Sequence, residues 1–320
     1  MNGGLWIVRL QDEIIPQKVR QGRFISMSDR AARIQGFFWT IASAIIFGLQ
    51  PMISITIYEE GANAIFVCWG RLAVATIGMA LLCKFVFHRS FAITKKEFAK
   101  LLICAQGFAL TPLFLYSSYN YMASGLATTV HFTYPVLVLL GCMIFLHRPM
   151  SNVKKFCCVL CFAGIAFMSD LSGGMSVTGF ALSFISAIAF AGYIIYLDGS
   201  GLQEMHPAKL AAWLSLIGAV ELFPLVLATG NMCWNLSPKG LMFLVLLGIA
   251  SGCMASTFFQ IGTKLAGPAT ASMLSTFEPI TSIIVGLLVY HEVISLRSGI
   301  GAICILIAVL LVAWDELKEE

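Results

Sequence analysis

Long apolar stretches, separated by short polar or glycine-rich turns, make up most of the chain from residue 34 onward. Each stretch has about 18 to 24 residues with almost no charge, which is the length at which an α-helix crosses a hydrocarbon core of about 30 Å. The pattern therefore predicts an all-α membrane protein with ten transmembrane helices. The predicted spans are approximately residues 34–57, 63–87, 97–119, 124–146, 153–170, 177–198, 208–229, 239–262, 267–290 and 296–314.

Composition supports this class of protein. Of the 320 residues, 59% are hydrophobic and 11% are charged, whereas soluble domains are about 45–50% apolar and about 25% charged. These values exclude a water-soluble enzyme, a secreted disulfide scaffold, a nucleic-acid-binding domain and a disordered chain. The ten cysteines lie mostly inside apolar stretches. We therefore expect packing residues rather than disulfides or a metal site, also for Cys157, Cys158 and Cys161.

The N-terminal segment lacks the pattern of a signal peptide. Its short apolar run, residues 5–10, is interrupted by Arg9 and followed by further charges. We therefore expect residues 1–33 to form a cytoplasmic tail. Met27 is a sensible alternative start, which would make residues 1–26 dispensable.

Positive charge is distributed unevenly between alternate connecting loops. If the N-terminus lies inside, 17 of the 20 Lys and Arg residues fall on the inner side, and two, Lys239 and Arg297, fall on the outer side. Cytoplasmic loops of membrane proteins carry the excess of Lys and Arg. We therefore expect a multi-pass protein of the cytoplasmic (inner) cell membrane, with both termini cytoplasmic, including a C-terminal tail of residues 315–320.

The sequence also contains an internal repeat with an offset of 143–144 residues. Residues 135–147 return as residues 279–291, and the two copies cover residues 34–170 and 177–314, with five predicted spans each. Because five is odd, the second copy must be inverted in the membrane relative to the first. Inverted repeats are the architecture of secondary transporters, in which substrate binds near the bilayer midplane where the halves meet.

Small residues recur at every fourth position in spans 1 and 6, at places that correspond in the two copies. They are Gly36, Thr40, Ala44 and Gly48 in span 1, and Gly179, Ser183, Ala187 and Ala191 in span 6. Such stripes let helices approach closely, so we expect spans 1 and 6 to be tightly packed central helices.

Polar side chains recur along one face of spans 4 and 9, again at corresponding places. They are Ser272, Ser275, Glu278 and Ser282 in span 9, and Thr128, His131 and Tyr134 at the places in span 4 that match the first three. A polar stripe that faces lipid is costly, so we expect both to line the bundle interior or a wet cavity. Pro135 and Pro279 follow directly, and each leaves a carbonyl one turn back without its usual partner, which suits a hinge.

Two segments resemble known helices. Residues 267–279, continuing to Glu292, resemble the ninth helix of EamA-type transporters of the drug/metabolite transporter superfamily, and residues 123–135, continuing to Pro149, resemble the paired fourth helix. The resemblance covers about residues 34–314. It implies an inner-membrane carrier for small metabolites, often an exporter of amino acids or related compounds.

The two copies differ chemically within this resemblance. Tyr134 precedes the proline in the first copy where Glu278 does in the second, and Arg148 stands where the second copy has Glu292. The two gates of such a carrier would therefore be chemically unequal.

Four ionisable residues lie well inside predicted spans: Arg71, His131, Glu221 and Glu278. A charged side chain at mid-helix costs about 2.5–3.5 kcal/mol on translocon scales, so each needs a partner or a wet cavity. Glu278 suits a proton carrier or a partner for a substrate amine, and the alternative is a structural carboxylate. His131 suits a pH-sensitive gate, and a neutral hydrogen-bonded histidine is an equal alternative.

Arg71 and Glu221 lie at similar depth by helical rise. This favours a structural ion pair between spans 2 and 7 over the alternative, in which Arg71 binds a substrate carboxylate.

Aromatic and amide side chains complete the candidate site. Trp69 and Tyr134 are expected to line the cavity, and Gln50 and Gln260 are polar candidates within spans 1 and 8. By contrast, the default for tyrosines near the end of a span is an interfacial belt. We therefore expect such a belt for Tyr116, Tyr119 and Tyr121.

The favoured function is a secondary transporter that exports a small amphipathic metabolite, such as an amino acid, by alternating access. The expected partners are a small-molecule substrate, the lipid bilayer and a proton or exchange counter-substrate, with no cofactor, metal or nucleic acid. One alternative is a broad-specificity drug extruder of the same fold. Another is an intramembrane enzyme, which is disfavoured because no catalytic or metal-ligand motif is present.

Overall fold

A computed structural model describes residues 27–319 apart from residue 89, 147–150, 169–175, 267–273 and 276. This part of the chain is helical, and it contains no strand. The first half comprises α1 (Met27–Gly48), α2 (Gln50–Glu59), α3 (Ala64–Leu81, continued by a π-helical turn, Leu82–Val86), α4 (Lys95–Ser118), α5 (Ser124–His131), α6 (Tyr134–Leu146) and α7 (Asn152–Met168). The second half comprises α8 (Val177–Ser200), a 3₁₀ turn (Leu202–Glu204), α9 (Pro207–Ala228), α10 (Pro238–Leu247), a π-helical segment (Gly248–Ala255), α11 (Ser256–Ala266), α12 (Phe277–Val289) and α13 (Leu296–Glu319).

Many of these helices have the length and composition of membrane spans. Within the described ranges, seven are long and apolar enough to cross a bilayer: Ile34–Glu59, Ala64–Val86, Lys95–Ser118, Ser124–Gly141, Val177–Leu197, Ala208–Ala228 and Pro238–Phe259. Phe277–Val289 and Gly299–Leu311 are shorter apolar helices. The all-helical membrane class is confirmed, and the count of ten spans stays a prediction.

Helix starts are fixed by side-chain caps that correspond in the two copies. Asn63 accepts a hydrogen bond from the Phe66 amide at the start of α3, and His206, 143 residues later, caps α9. Thr94 forms a capping box at the start of α4, and Ser237, also 143 residues later, caps α10. Each cap satisfies backbone amides that the first helical turn leaves without partners. The repeat is therefore visible in local structure as well as in sequence.

Contacts between helices also reflect the repeat. α1, from the first half, packs against α11 and α12 of the second half, and its counterpart α8, from the second half, packs against α4, α5 and α6 of the first half. The pairs α3 with α9 and α7 with α13 each join a helix to its own counterpart, and α5 with α12 joins parts of the corresponding spans 4 and 9. This is the contact pattern that a pseudo-twofold axis between the halves produces.

The small-residue stripes of spans 1 and 6 are buried, as predicted. A Cβ atom added to Gly48 would lie 2.7 Å from the Glu278 carbonyl oxygen, and one added to Gly36 would lie 2.7 Å from the Ala266 amide. Thr40 and Ser183 are fully buried within the same stripes. Close helix approach at these positions is thus confirmed, and it brings α1 directly against the start of α12.

Hydrogen bonds between helix ends define two faces of the bundle. On face A, Glu60 after α2 lies 2.7 Å from the Lys239 ammonium group at the start of α10. On face B, the Lys209 ammonium group at the start of α9 donates to the Ala92 carbonyl at 2.6 Å, and Lys100 of α4 donates to the Ser200 carbonyl at the end of α8. α2 is the second part of span 1, and α8 forms span 6. Because α2 ends at face A and α8 ends at face B, the first spans of the two repeats run in opposite directions.

Candidate functional site

Arg71 lies in the interior of the bundle, in the middle of α3. Its side chain is 8% exposed, and its Nε donates to the Ser251 hydroxyl at 2.9 Å. The guanidinium carbon lies 5.9 Å from the centre of the Tyr116 ring. Ser251 belongs to the π-helical segment of the second half, and such segments are frequent at functional sites. The two contacts hold the guanidinium group between elements of both repeats. Among the described residues its other N–H groups make no hydrogen bond, so they can donate to a ligand.

Tyr116 connects this arginine to α2. The Tyr116 hydroxyl donates to the Gln50 side-chain oxygen at 2.7 Å, and the Tyr58 hydroxyl donates to the Tyr116 carbonyl at 3.0 Å. Ser54 lies one turn after Gln50, and its fully buried hydroxyl faces the Tyr116 side chain. Tyr116 therefore contacts two polar side chains of α2.

Glu278 is the second residue of α12 and lies near Arg71 and Tyr116. We call this interior region, around Arg71, Tyr116 and Glu278, the centre. Its amide donates to the Ser275 carbonyl at 2.9 Å, and its carboxylate lies within electrostatic range of Arg71. Within the described part of the chain, that carboxylate has no side-chain hydrogen bond, and it forms no direct ion pair with Arg71.

Three tyrosines, Tyr116, Tyr119 and Tyr134, also lie within electrostatic range of Glu278. The centre thus contains a guanidinium group and a carboxyl group that form no direct ion pair, with three tyrosine rings nearby.

The His131 side chain contacts α8 rather than Arg71 or Glu278. It is 5% exposed, and its Nδ1 lies 2.8 Å from the Ser186 hydroxyl of α8. Its ring also packs at 5.5 Å from Tyr134 and at 5.6 Å from Phe190. These contacts favour the hydrogen-bonded alternative over a pH-sensitive gate. Tyr134 stands between this cluster and Glu278.

The other candidates are distributed unevenly. Thr128 is buried and donates to the Ser124 carbonyl at 2.9 Å, and Ser275 is buried beside Glu278. Trp69 packs between Phe66 and Phe223 on the side of α3 that faces α9, away from the Arg71 contacts. Ser272 and the side chain of Gln260 lie outside the described residues.

The two candidate hinge prolines occupy similar places. Pro135 is the second residue of α6, after a break at residues 132–133, and Pro279 is the third residue of α12. A proline is well tolerated in the first turn of a helix, where its missing N–H has no intrahelical partner. Both prolines therefore follow an interruption of a span, and their role as hinges stays a prediction.

The expected ion pair between Arg71 and Glu221 is wrong. The Glu221 carboxylate instead accepts a hydrogen bond from the Gln106 side chain at 2.6 Å, at the contact of α9 with α4, while Arg71 turns toward Ser251 and Tyr116. Similar depth along two helices leaves open which way each helix faces, and here the two side chains point to different neighbours.

The expected tyrosine belt is wrong for two of its three members. Tyr116 is 1% exposed and Tyr119 is 9% exposed, whereas Tyr121 is 50% exposed and remains compatible with an interface. Tyr116, Ser251 and Ser54 are the residues of the centre that sequence reasoning missed. The spacing of Tyr116 and Tyr119, three residues apart at the end of α4, was a signal that could have placed them inside.

A multi-helix bundle built from two related halves, with unpaired charges at their junction, defines a polytopic membrane protein of the transporter class. The chain belongs to the EamA-like transporter family, whose model matches residues 34–170 and 177–314. This family and the names of its relatives indicate a transporter rather than an enzyme.

Several bacterial and archaeal proteins are similar to this chain. The uncharacterized transporter YwfM of Bacillus subtilis (strain 168) is 26% identical over 164 residues, which are 51% of this chain and 55% of that protein. An uncharacterized transporter of Archaeoglobus fulgidus is 25% identical over 64% of this chain and 74% of its own length. The chain thus aligns with only about half of the first of these relatives.

A solved structure supports the fold. A protein of known crystal structure matches with a TM-score of 0.64 at 14% identity, over 91% of this chain and 99% of its own. At this identity the similarity concerns the fold alone.

Proposed function

We propose that the protein is a secondary transporter of a small zwitterionic metabolite, with amino acids that carry an apolar or aromatic side chain as the favoured class. The observation that carries this proposal is that the Arg71 guanidinium group and the Glu278 carboxyl group lie within electrostatic range in one interior centre, without a direct ion pair between them. A planar guanidinium group suits a carboxylate, and a carboxylate suits an ammonium group. A zwitterion would satisfy both.

Aromatic side chains around these charges support an amphipathic substrate. Tyr116, Tyr119 and Tyr134 come from two different helices and lie near Glu278. Binding sites for small molecules are commonly apolar or aromatic with a few fixed polar groups. In the proposed complex, Arg71 binds the carboxylate, Glu278 binds the ammonium group, and the rings contact the side chain.

The mechanism that we propose is alternating access by movement of two inverted five-helix halves in a ten-span bundle. The opposite directions of α2 and α8 and the symmetric helix contacts support it. The distribution of Lys and Arg supports cytoplasmic termini and, with them, an external face A. Export from the cytoplasm is the favoured direction, and a proton or a counter-substrate is the favoured coupling partner.

Flux through purified protein tests this function. Proteoliposomes containing the full chain should take up a radiolabelled apolar or aromatic amino acid with saturation. Unlabelled substrate should compete, whereas the corresponding amine and the corresponding deaminated acid should compete poorly. Absence of saturable flux for every amino acid would contradict the proposed substrate class. Flux of several unrelated cationic drugs instead would favour the broad-specificity extruder.

Coupling to protons is tested separately. If Glu278 carries the coupling proton, Glu278→Gln should change the dependence of flux on pH between about pH 5 and 8, because the amide cannot titrate in this range. Glu221→Gln is the matched control, since Glu221 is also an acid within a span but is bonded to Gln106 away from the centre. Identical pH profiles for wild type and Glu278→Gln would remove the proton role and leave substrate binding as the role of Glu278.

A further inference from the structure

Loop pairs that correspond in the two repeats hold the two faces of the bundle together. On face A, the connection between α2 and α3 meets the connection between α9 and α10. On face B, the connection that leads into α4 meets the segment between α8 and α9. The repeat relates these two pairs, since the caps Asn63 and Thr94 have His206 and Ser237 as counterparts 143 residues later.

Face A is held by a charged pair. The Glu60 Oε1 atom lies 2.7 Å from the Lys239 Nζ atom, and the Glu60 Oε2 atom accepts a hydrogen bond from the Ser237 hydroxyl at 2.5 Å. Asn63 adds a hydrogen bond from its side-chain amide to the Asn231 carbonyl at 2.8 Å. Both carboxylate oxygens of Glu60 are therefore engaged by residues at the start of α10.

Face B is held by neutral acceptors. Lys209 and Lys100 donate to the backbone carbonyls of Ala92 and Ser200, and the Trp213 indole donates to the Phe91 carbonyl at 3.2 Å. In the described part of the chain, no ion pair within 4 Å joins these loops. A cleft of about 460 Å³ lies between them instead, lined by residues that include Glu97, Lys100, Glu204 and Lys209.

The charged pair on face A is mechanically linked to the centre. Glu60 directly follows α2, which also carries Gln50 and Ser54, and ten residues of helix between Gln50 and Glu60 rise about 15 Å. The Tyr58 hydroxyl bonds to the Tyr116 carbonyl, and the Tyr290 hydroxyl bonds to the Met52 carbonyl of the same helix at 2.7 Å. Movement of α2 away from α10 would therefore disturb the hydrogen bond of Gln50 with Tyr116.

We propose that Glu60 and Lys239 are the gate residues of face A, whose separation opens the central site to that side. This inference rests on the alternating access proposed above. Face B opens by breaking hydrogen bonds from lysines to backbone carbonyls, and Glu97 lies within electrostatic range of the same lysines without a direct ion pair among the described residues. A charge pair at a surface weakens as salt screens it, whereas a carbonyl acceptor carries no net charge to screen.

A native thiol reports on this gate. The Cys233 sulfur lies 3.6 Å from the Gly61 carbonyl oxygen and 3.6 Å from the Asn63 side-chain amide, between the two loops of face A. Cys233 is half-buried. Opening of the gate would remove the Gly61 and Asn63 side of its surroundings and expose the thiol.

The test measures how fast a membrane-impermeant maleimide labels Cys233 in the full chain, reconstituted in nanodiscs and without substrate. A Cys233→Ser variant gives the background from other thiols. Because an exposed ion pair is a weak constraint, Glu60→Gln should raise the labelling rate by about two- to fivefold. Glu59→Gln is the matched control: it removes the same charge from the neighbouring exposed position, where Glu59 lies within electrostatic range of Lys239 while the direct contact belongs to Glu60. It should therefore raise the rate much less than Glu60→Gln.

Two further measurements show whether the change in labelling depends on the ion pair between Glu60 and Lys239. Raising the salt concentration from about 0.01 M to about 1 M shortens the Debye length from about 30 Å to about 3 Å, and this should raise labelling in wild type but not in Glu60→Gln. The exchanged pair, Glu60→Lys with Lys239→Glu, should return labelling toward the wild-type rate. Equal labelling of wild type and Glu60→Gln at low salt would overturn the gate, and so would failure of Lys239→Gln to raise labelling.

Flux separates this inference from the proposed function. If amino-acid flux is saturable while Glu60→Gln leaves labelling unchanged, the transporter stands and the gate assignment fails. If Glu60→Gln raises labelling but no amino acid is transported, the loops are held by this pair and the proposed substrate class fails.

Discussion

The two repeats place different chemistry at the same position of the fold. In span 4, Tyr134 precedes Pro135, and the neighbouring His131 is bonded to Ser186 and packed among rings. In span 9, Glu278 precedes Pro279, and within the described residues its carboxylate has Arg71 in electrostatic range but no direct partner. In the first copy the polar side chain His131 is hydrogen-bonded and packed, whereas in the second copy the carboxyl group of Glu278 can still bind a ligand. The comparison indicates that Tyr134 and Glu278, which occupy the same place in the two repeats, are not chemically equivalent.

Among the substitutions that test this comparison, Glu278→Gln should have the largest effect on transport. We expect saturable amino-acid flux to fall by about 30-fold or more, because losing one partner of a buried, hydrogen-bonded charge pair costs roughly 2–5 kcal/mol. The measurement is initial flux into proteoliposomes, corrected for the amount of protein inserted. Glu221→Gln should retain flux. Wild-type flux in Glu278→Gln would assign Glu278 a structural role.

His131→Ala should affect stability rather than recognition. The substitution leaves the Ser186 hydroxyl unsatisfied in the interior, and we expect it to lower the free energy of unfolding by about 1–3 kcal/mol. Denaturant titration in detergent measures this change, with Ser186→Ala as the partner variant in a double-mutant cycle. Unchanged stability together with an altered pH profile of flux would restore the pH-gate interpretation of His131.

Tyr116→Phe should have a smaller effect at the centre. It keeps the ring beside Arg71 but removes the hydrogen bond to Gln50, which contributes about 0.5–1.5 kcal/mol. We expect a few-fold weaker apparent affinity for substrate in flux assays. Tyr121→Phe, at a position that is 50% exposed, is the control and should behave as wild type. A larger loss with Tyr121→Phe than with Tyr116→Phe would place the site elsewhere.

The charged pair on face A should give the smallest effect, and it should depend on pH. Hydrogen bonds from Lys239 and Ser237 lower the pKa of the Glu60 carboxyl from its ordinary value. The pair therefore stabilises the folded state above the ordinary carboxyl pKa, and this contribution is lost as pH falls through the lowered pKa. Nearby Glu59 is the other acid that faces Lys239.

The measurement is the thermal midpoint of wild type and Glu60→Gln across acidic pH. The difference between the two proteins should be present at neutral pH and vanish in acid, whereas Glu59→Gln should differ less from wild type than Glu60→Gln does. A difference that grows in acid would have the wrong sign for this linkage.

Much of the architecture is predictable because it depends on composition and period. Apolar length locates the spans, and the matched motifs around Pro135 and Pro279 locate the two copies. Glu278 and Arg71 are recognisable because a charge within an apolar run is costly. Their partners are not recognisable, because the choice between Glu221 and Ser251 for Arg71 depends on the rotation of α3 and α9 about their axes.

Rotation about a helix axis also explains why the predicted interfacial position of Tyr116 is wrong while that of Tyr121 is not. Tyr116 and Tyr121 lie near the same end of one span, and depth alone predicts an interface for both. Packing turns Tyr116 toward α2 and leaves Tyr121 beyond the last turn of α4. The π-helical segment that carries Ser251 likewise has no strong local signal, since residues 248–255 are small and apolar like many regular membrane helices.

Pairing substrate analogues with variants tests the central claim most directly. Binding of an aromatic amino acid, its amine and its deaminated acid is measured by calorimetry for wild type, Arg71→Gln and Glu278→Gln. Wild type should prefer the amino acid over both analogues. Arg71→Gln should lose the preference over the amine alone, and Glu278→Gln should lose the preference over the deaminated acid alone. If both variants weaken all three ligands equally, the two charges do not bind the two ends of a zwitterion.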